Sequence, residues 1–378
     1  MAYTTINDPS KYFQTTLYSG DSNNSTVITN DGNSDLQPDW IWIKNRTHGN
    51  DGSGGHMLFD SSRGIKSQTG SDSKFLVAQG TANNQTNANG LQAVSSDGFT
   101  PGSMTRTNET GDNYVAWQWK ANGGTTTSVS ASGTGNGCVN ACTHQANTTS
   151  GFSIITYTGR DDQLSNGQHS LLAHGLGAAP DFTIMKRTDD SGDWFVMGSF
   201  QGANSYPYSN NQWLKLNGTE TINGNYYTGD TAPNATNIYL GNYGVNIASA
   251  TYVCYAFTEI KGFSSFGKYK GNGNSNGPFV YTGFKPALVI TKAVATASWS
   301  LYDNKRTGFN PIDVWLRANG SDAESTSAIS GEDIDLLSNG FKLRNSDNTV
   351  NGNGTTYIYM AFAESPFVTS TGIPTTAR

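Results

Sequence analysis

Charged residues are scarce in this chain, and no stretch of it is rich in basic residues. Only 14% of the 378 residues are Asp, Glu, Lys or Arg, and the formal net charge is -6 with an isoelectric point near 5.3. Proteins that bind nucleic acid concentrate Lys and Arg on one surface. The scattered basic residues and the acidic balance therefore argue against a nucleic-acid partner.

Cysteine is also rare, because the three cysteines are too few for a disulfide scaffold. Cys254 lies in an alternating apolar segment, where we expect a buried free thiol. In an extended chain the Cα atoms of Cys138 and Cys142 would be about 13 Å apart, too far for a disulfide. A turn could bring the two together. A disulfide and two free thiols are both left open, and a reducing cytosol favours the thiols.

Long hydrophobic runs are missing. No apolar stretch approaches the roughly 20 residues that a membrane-spanning helix needs. Residues 1–5 lack the basic start and apolar run of a signal peptide. We therefore expect a protein that is made in a cytosol and does not insert into a membrane.

Motifs for catalysis or metal binding are absent as well. The sequence contains no nucleophile elbow, phosphate loop or dinucleotide fingerprint. His169 and His174 have no Cys or carboxylate at ligand spacing beside them. Residues 31–35 begin like an EF-hand loop, but Leu36 replaces its glycine and Trp42 its final glutamate. We predict no catalytic residue, no metal site and no cofactor, with an opportunistic Ca²⁺ in such a loop left open.

What the sequence does contain is one segment written three times, with bulky residues at every second position. The copies are residues 114–120, 252–259 and 357–364. Alternation of β-branched and aromatic residues predicts a β-strand whose bulky face lies in a core. The predicted core residues are Val115, Trp117, Trp119, Val253, Tyr255, Phe257, Ile358, Met360 and Phe362.

The repeated segments divide the chain into three units. We predict a first unit over residues 1–122, a second over 151–262 and a third over 263–378, with 123–150 as a Gly/Thr/Ser-rich linker or long loop. Many short strands joined by polar turns predict an all-β fold of tandem antiparallel β-sandwich repeats, of jelly-roll or lectin-like type. The alternative is one large β-structure in which the three units share a core.

Several charged residues recur at the same place in different units. Glu259 and Glu364 both end a repeated segment, and Arg63 and Arg306 each follow an aspartate by three positions. A duplicated position more often serves structure than catalysis, so we predict capping or pairing roles. Because a glycosidase needs only two carboxylates, a glycan-cleaving enzyme stays an alternative.

Aromatic residues also occur among Asn, Ser and Gly in the long loops of the second unit. Such residues could stack on sugars while neighbouring amides supply hydrogen bonds, and packing within the loops is the competing interpretation. The candidate surface-binding residues are Tyr206, Tyr208, Trp213, Tyr226 and Tyr227.

Most of the chain carries a family resemblance. In the third unit it rests on residues 263–274, 277–286, 301–306, 334–345, 357–364 and 373–378. In the first two units it rests on residues 38–46, 114–120, 152–159 and 174–177. With these segments the chain resembles a family of structural proteins of tailed bacteriophages, especially marine ones. The segment around Cys138 and Cys142 departs from the simple Ser/Thr linker of that family.

The resemblance implies a non-enzymatic virion protein, made in the host cytoplasm, with no catalytic motif to transfer. We expect a tail-fibre or surface appendage that contributes to host attachment. Its expected partners are other virion proteins, further copies of itself, with a homotrimer in view, and a host-surface glycan or receptor. A decoration protein that stabilises the capsid is the alternative, and a glycan depolymerase is the third.

Overall fold

The computed structural model of this protein is built almost entirely of β-strands. It describes residues 3–49, 54–165, 167–198, 212–224, 231–241, 244–326 and 331–375. The described helices are short: α1 Lys66–Thr69, α2 Thr105–Asn108 and 3-10 turns at Pro9–Lys11 and Asp161–Gln163. The chain is thus an all-β protein, as its composition predicts.

The strands follow one another along the chain with short connections. In the first unit they are β1 Phe13–Ser19, β2 Trp40–Asn45, β3 His56–Asp60, β4 Lys74–Val77, β5 Gln85–Thr86, β6 Leu91–Ser95, β7 Gly98–Pro101 and β8 Asn113–Trp119. Next come β9 Thr127–Val129, β10 Cys142–Asn147, β11 Phe152–Thr158, β12 Ser170–Ala173, β13 Phe182–Arg187, β14 Trp194–Gly198, β15 Gln212–Lys215, β16 Asn223–Gly224, β17 Asn237–Leu240 and β18 Thr251–Phe257. The third unit has β19 Ser264–Lys270, β20 Phe279–Tyr281, β21 Phe284–Ala293, β22 Trp299–Asp303, β23 Val314–Trp315, β24 Ser325–Thr326, β25 Ile334–Leu337, β26 Gly340–Leu343 and β27 Thr356–Pro366.

Three large antiparallel sheets contain most of these strands. Their orders are β1-β8-β2-β3-β4-β5, β16-β15-β14-β13-β18-β11-β10-β9 and β19-β27-β21-β22. Smaller sheets are formed by β6-β7, β12-β17, β20-β26-β25 and β23-β24. Each large sheet therefore contains the same run of four strands: β1-β8-β2-β3, β11-β18-β13-β14 and β19-β27-β21-β22.

The registers of these runs correspond residue by residue. The three sets of facing residues are Phe13/Trp119/Trp40, Phe152/Phe257/Phe182 and Ser264/Phe362/Leu288. Counting along each strand from these sets defines what we call matched positions in the three sheets.

The closing strands β8, β18 and β27 lie between two neighbours in their sheets, and both of their faces are buried. The nine bulky residues predicted from the repeats all belong to the largest core cluster, so that prediction is confirmed. Tyr252, Cys254 and Ala256, on the other face of β18, belong to a second core cluster. Burial on both faces explains why these strands are nearly devoid of charge.

The largest core is shared by the three units. It takes Trp40 and Trp117 from the first unit, Tyr255 from the second, and Leu288 and Phe362 from the third. Two smaller clusters lie within the second unit and within the first. The shared core is the arrangement that the sequence left as the alternative to separate sandwiches.

Residues 123–150 differ from the predicted linker or loop. Strand β10 pairs with β11 along its whole length, and β9 pairs with β10, so this stretch extends the second sheet. Few large apolar side chains are needed here because β10 is only half-buried and β9 is the outermost strand.

Candidate functional site at the junctions between the sheets

Of the five aromatic residues proposed for surface binding, one is described by the structure. The others, Tyr206, Tyr208, Tyr226 and Tyr227, lie outside the described residues. Trp213 is part of β15, is 6% exposed, and packs edge-on against Phe195 with 5.1 Å between ring centroids. The surface-binding prediction is therefore wrong for Trp213, whose indole lies in the core of the second unit.

A buried ion pair joins the first unit to the second. Arg63 Nε lies 2.5 Å from Asp60 Oδ2, and Arg63 Nη2 donates to the Leu58 carbonyl. Tyr255 of the second unit donates its hydroxyl to Asp60 Oδ2 at 2.6 Å. Burial by itself would lower the pKa of Arg63, but the charge of Asp60 and the Tyr255 hydroxyl hold that pKa above its usual value. The pair is thus ionised and fully hydrogen-bonded, as a buried charge requires.

A second buried pair joins the third unit to the first in the same way. Arg306 Nε lies 2.6 Å from Asp303 Oδ2, and Trp117 of the first unit donates its Nε1 hydrogen to the same oxygen at 3.2 Å. Arg306 also contacts Glu324, and both carboxylate oxygens of Glu324 accept from Arg46 at 2.9 Å. The structural role predicted for Arg63 and Arg306 is confirmed by these contacts.

Donors and acceptors at these junctions occur together. The two aspartates end β3 and β22 at matched positions, where the second sheet has Gly198. The two donors, Tyr255 and Trp117, also occupy matched positions, where the third sheet has Met360. A closing strand therefore presents a hydrogen-bond donor in the two cases in which a neighbouring unit has a buried carboxylate.

Three buried lysines tie the units together in a cycle. Each ammonium group donates to the carbonyl of the next residue in its own strand. Each also donates to a carbonyl of another unit: Lys44 to Ser321, Lys186 to Thr81 and Lys292 to Glu220, at 3.2, 3.0 and 3.1 Å. Burial lowers the pKa of Lys186 and of Lys292 to about 8. The first unit thus contacts the third, the second contacts the first, and the third contacts the second.

The lysines were missed by motif search, although the sequence contains a signal for them. Each stands six positions after a proline, Pro38, Pro180 or Pro286, at the start of the second strand of its unit. A lysine in the middle of an apolar strand, repeated at equal spacing, indicates a buried structural cation.

Aromatic rings meet where the three large sheets converge. The rings of Trp119 and Phe257 both lie against Phe362, with centroid distances of 5.5 and 5.7 Å. Trp40 stacks on Tyr255 at 4.3 Å. Such pairs each contribute roughly 0.5–1.5 kcal/mol beyond the area that they bury, so the contact between units is strongly apolar at its centre.

A cavity of about 180 Å³ opens beside β1, between the first and third units. Thr15 and Asn304 line it, and among the described residues the Thr15 hydroxyl and the Asn304 Oδ1 have no hydrogen-bond partner. At its rim Lys305 pairs with Asp31 at 2.7 Å, and the Asn304 amide donates to Glu364 at 2.9 Å. An opportunistic Ca²⁺ at the Asp31 loop stays a prediction, and the ammonium group of Lys305 would compete with it.

A larger groove of about 640 Å³ lies between the first and second units. Its lining is dominated by hydroxyl groups, from Ser62, Ser128, Ser130, Thr143, Thr156, Thr158, Thr188 and Thr251. Hydroxyl groups both donate and accept hydrogen bonds, so the groove suits a neutral, hydroxylated ligand better than a charged one.

Exposed aromatic side chains cluster on the third unit. Phe279 and Tyr281 point to the same side of β20 and are 45% and 57% exposed. The Tyr3 hydroxyl lies 3.1 Å from that of Tyr281, and Lys261 places its ammonium group 4.5 Å from the Tyr3 ring centroid. We call Tyr3, Phe279 and Tyr281 the aromatic patch. It is a surface on which a sugar ring or an apolar partner could lie.

The histidines and glutamates of interest have structural partners. His174 Nε2 lies 3.0 Å from the Asn234 carbonyl and its Nδ1 accepts from the Leu176 amide, while His169 packs edge-on against Tyr239. Burial lowers the pKa of His174 to about 4. Among the described residues no group of three or more His, Cys, Asp or Glu side chains is arranged to hold a metal ion.

The predicted pairing roles of the repeated glutamates are confirmed. Glu259 accepts from the Phe266 amide at 3.1 Å, and Glu364 pairs with Lys285 at 2.8 Å. The cysteines are three buried free thiols. Cys142 lies 3.7 Å from the Ala173 carbonyl, and burial raises its pKa to about 11. The disulfide between Cys138 and Cys142 that the sequence left open is therefore not formed.

One family of known proteins matches nearly the whole chain. The match is to the family described as Domain of unknown function (DUF7483), and it covers residues 8–366. The chain belongs to this family. A DUF7483 domain thus extends from the residue that caps the first 3-10 turn to the last residue of β27, and includes all three large sheets.

Comparison with curated proteins and with solved structures finds no match to this DUF7483 chain. In the described part of the chain, no helix has both the length and the apolar character needed to cross a membrane.

Proposed function

We propose that this DUF7483 protein is a non-enzymatic structural protein of a bacteriophage particle, a tail-fibre or surface appendage that contributes to host attachment. The sequence resemblance supports the particle role. The observation that carries the attachment role is the aromatic patch, because it presents exposed rings on a body tied together by buried ion pairs and a shared core. Its partners would be other virion proteins and a host-surface glycan or receptor.

We further propose that the three units are copies of one antiparallel β-sandwich of jelly-roll or lectin-like type. The equal strand orders, the matched registers and the repeated lysine contacts support this. They make within one chain the cyclic contacts that a homotrimer makes between chains. A single chain is therefore the assembly we favour over the homotrimer, and mass measured by light scattering tests the choice.

Adsorption assays test the attachment role. The purified protein should bind host cells and reduce infection when added before the phage. The double variant Phe279→Ser, Tyr281→Ser should lose both effects, because rings that stack on a ligand dominate such surfaces. Phe309→Ser is the matched control, since Phe309 is 73% exposed but lies outside the patch. Full activity of the double variant would refute the role of the patch.

A capsid decoration protein is the second candidate, favoured by the same rigid shared core. In that case free protein should leave infection unchanged, while particles that lack the protein should lose DNA at a lower temperature. A glycan depolymerase, the third, predicts release of sugar from host polysaccharide, and sustained absence of such release would dismiss it.

A further inference from the structure

The first, second and third sheets treat one strand edge in three different ways. β1, β11 and β19 are matched strands, each paired on one side with its closing strand. In the second sheet the other side of β11 is covered by β10, whereas β1 and β19 are the outermost strands of their sheets. An uncovered strand edge presents amide and carbonyl groups that can pair with another strand.

The edge of β19 is closed by a side chain. Glu259 Oε2 accepts hydrogen bonds from the Phe266 amide and from the Ser265 hydroxyl, both at 3.1 Å. The matched residue in the first unit is Asp8, whose carboxylate is bound instead to Ser10 and Ser34. Because Phe266 and Thr15 are matched, the Thr15 amide points toward an edge that no carboxylate blocks.

The edge of β11 shows what fits there. Gln145 of β10 lies opposite Ile154. Its Nε2 donates to the hydroxyls of Ser61 and Ser62 in the first unit, at 2.7 and 2.6 Å, and its Oε1 accepts from the Gly124 amide at 3.0 Å. The added strand therefore fills the junction between two units with one amide side chain.

At the matched place beside β1 this side chain is missing. Thr15 stands where the second unit has Ile154, and Asn304 and Lys305 stand where the first unit has Ser61 and Ser62. These three residues line the 180 Å³ cavity. The Thr15 side chain is 3% exposed, and the two oxygens without a partner, Thr15 Oγ1 and Asn304 Oδ1, are placed where an amide like that of Gln145 would bind.

We propose that the edge of β1 is a docking site for an extended strand of a partner polypeptide, with a glutamine or asparagine side chain opposite Thr15. The strand would run antiparallel to β1, as β10 runs antiparallel to β11, and bond to the outward amides of Phe13, Thr15 and Leu17. Its amide side chain would enter the cavity and donate to Asn304 Oδ1. Backbone pairing of this kind supplies affinity, and the single pocket supplies selectivity. The inference does not depend on the proposed function.

A synthetic peptide tests the site. The probe has the sequence of residues 139–149 with Cys142→Ser, and its binding to the whole protein is followed by fluorescence anisotropy and by NMR shifts. We expect saturable binding. The same peptide with Gln145→Leu should bind about tenfold more weakly, because it leaves buried oxygens without donors. Failure of the parent peptide to bind at millimolar concentration would overturn the proposal.

Two pairs of protein variants locate the binding. Leu17→Pro removes an outward amide but leaves the ladder with β8 intact, and it should weaken binding by about tenfold or more. Leu17→Thr, the residue of the matched position in β11, should bind like the wild type. Asn304→Leu should lose about tenfold in affinity, whereas Asn304→Ser, which copies Ser61, should keep it.

Unfolding curves and far-ultraviolet dichroism of all four variants establish that they fold. Equal binding by Leu17→Pro and Leu17→Thr, both folded, would place the peptide elsewhere and refute the site. Concentration-dependent dimers of the wild type that disappear in Leu17→Pro would show a second copy, rather than a partner strand, on this edge.

Discussion

Single buried charges hold the three units of this protein together. Arg306 has no exposed side-chain surface and contacts Asp303, Glu324 and the Leu301 carbonyl. A buried ion pair adds little stability compared with apolar residues of equal shape, but removal of one partner leaves an uncompensated charge. The value of these pairs therefore lies in the choice of which units meet.

Replacement of Arg306 should be far more costly than replacement of an exposed arginine. Arg306→Ala should lower the free energy of unfolding by about 3–5 kcal/mol, because Asp303 loses its counter-ion in the core. Arg344→Ala is the control, since Arg344 pairs with Asp335 at 45% exposure and should cost about 1 kcal/mol or less. Denaturant titrations give both values, and equal effects would contradict a special role for the buried pair.

The buried lysines predict a dependence of stability on pH. The pKa of Lys292 is about 8 in the folded protein and 10.5 without burial. Between these values the unfolded chain binds more protons than the folded one, so stability rises with pH. The free energy of unfolding of the wild type, minus that of Lys292→Met, should increase by up to about 3 kcal/mol from pH 8 to 10.5 and stay flat below pH 8.

Lys268→Met provides the control for this experiment, because Lys268 is exposed on β19. The same difference, measured for that variant, should stay nearly constant across the range. A flat profile for Lys292→Met would show that its ammonium group is not destabilised by burial.

At the scale of elements, the β9–β10 hairpin is the main departure from the three-fold pattern. It covers the edge of β11, and Gln145 connects the second unit to the first. Asn147 Nδ2 donates to the Ala121 carbonyl at 3.1 Å, so the two ends of the hairpin segment lie close together. Residues 123–146 can therefore be excised and replaced by a short glycine linker.

We expect the excised protein to fold but to self-associate. Its β11 edge would be uncovered, and an open edge pairs readily with another chain. Gln145→Ala should remain monomeric and lose about 1–2 kcal/mol of stability from the missing hydrogen bonds. Light scattering and denaturant titration measure both effects. A monomeric excised protein of unchanged stability would contradict the covering role of the hairpin.

This hairpin also shows why sequence reasoning succeeded for some elements and failed for others. The closing strands are buried on both faces, so apolar residues had to fill them, and they were predictable from alternation alone. β9 and β10 carry mostly polar residues because they lie at a sheet edge, and their strand conformation comes from pairing with β11 rather than from local preference. A Gly/Thr-rich composition looks the same in a linker and in such an edge.

On the scale of the whole molecule, the shared core predicts a single unfolding event. Trp119, Phe257 and Phe362 come from different units and pack on one another, so none of the three large sheets can open without exposing the others. Calorimetry should show one transition, and Phe362→Ala should lower the free energy of unfolding by about 3–5 kcal/mol. Residues 263–378 produced alone should not form a stable monomer. Separate transitions would instead indicate independent sandwiches.

The sequence by itself determined that the chain is all-β, which strands are buried, and which charged residues are structural. These features depend on side-chain periodicity and on repeated positions, which are local. Only the tertiary structure decided that the three units share a core, that Trp213 is buried, and that the β1 edge is open while the β11 and β19 edges are closed. Those features depend on contacts between residues that are far apart in the chain, such as Thr15 with the cavity beside Asn304, and no local pattern encodes them.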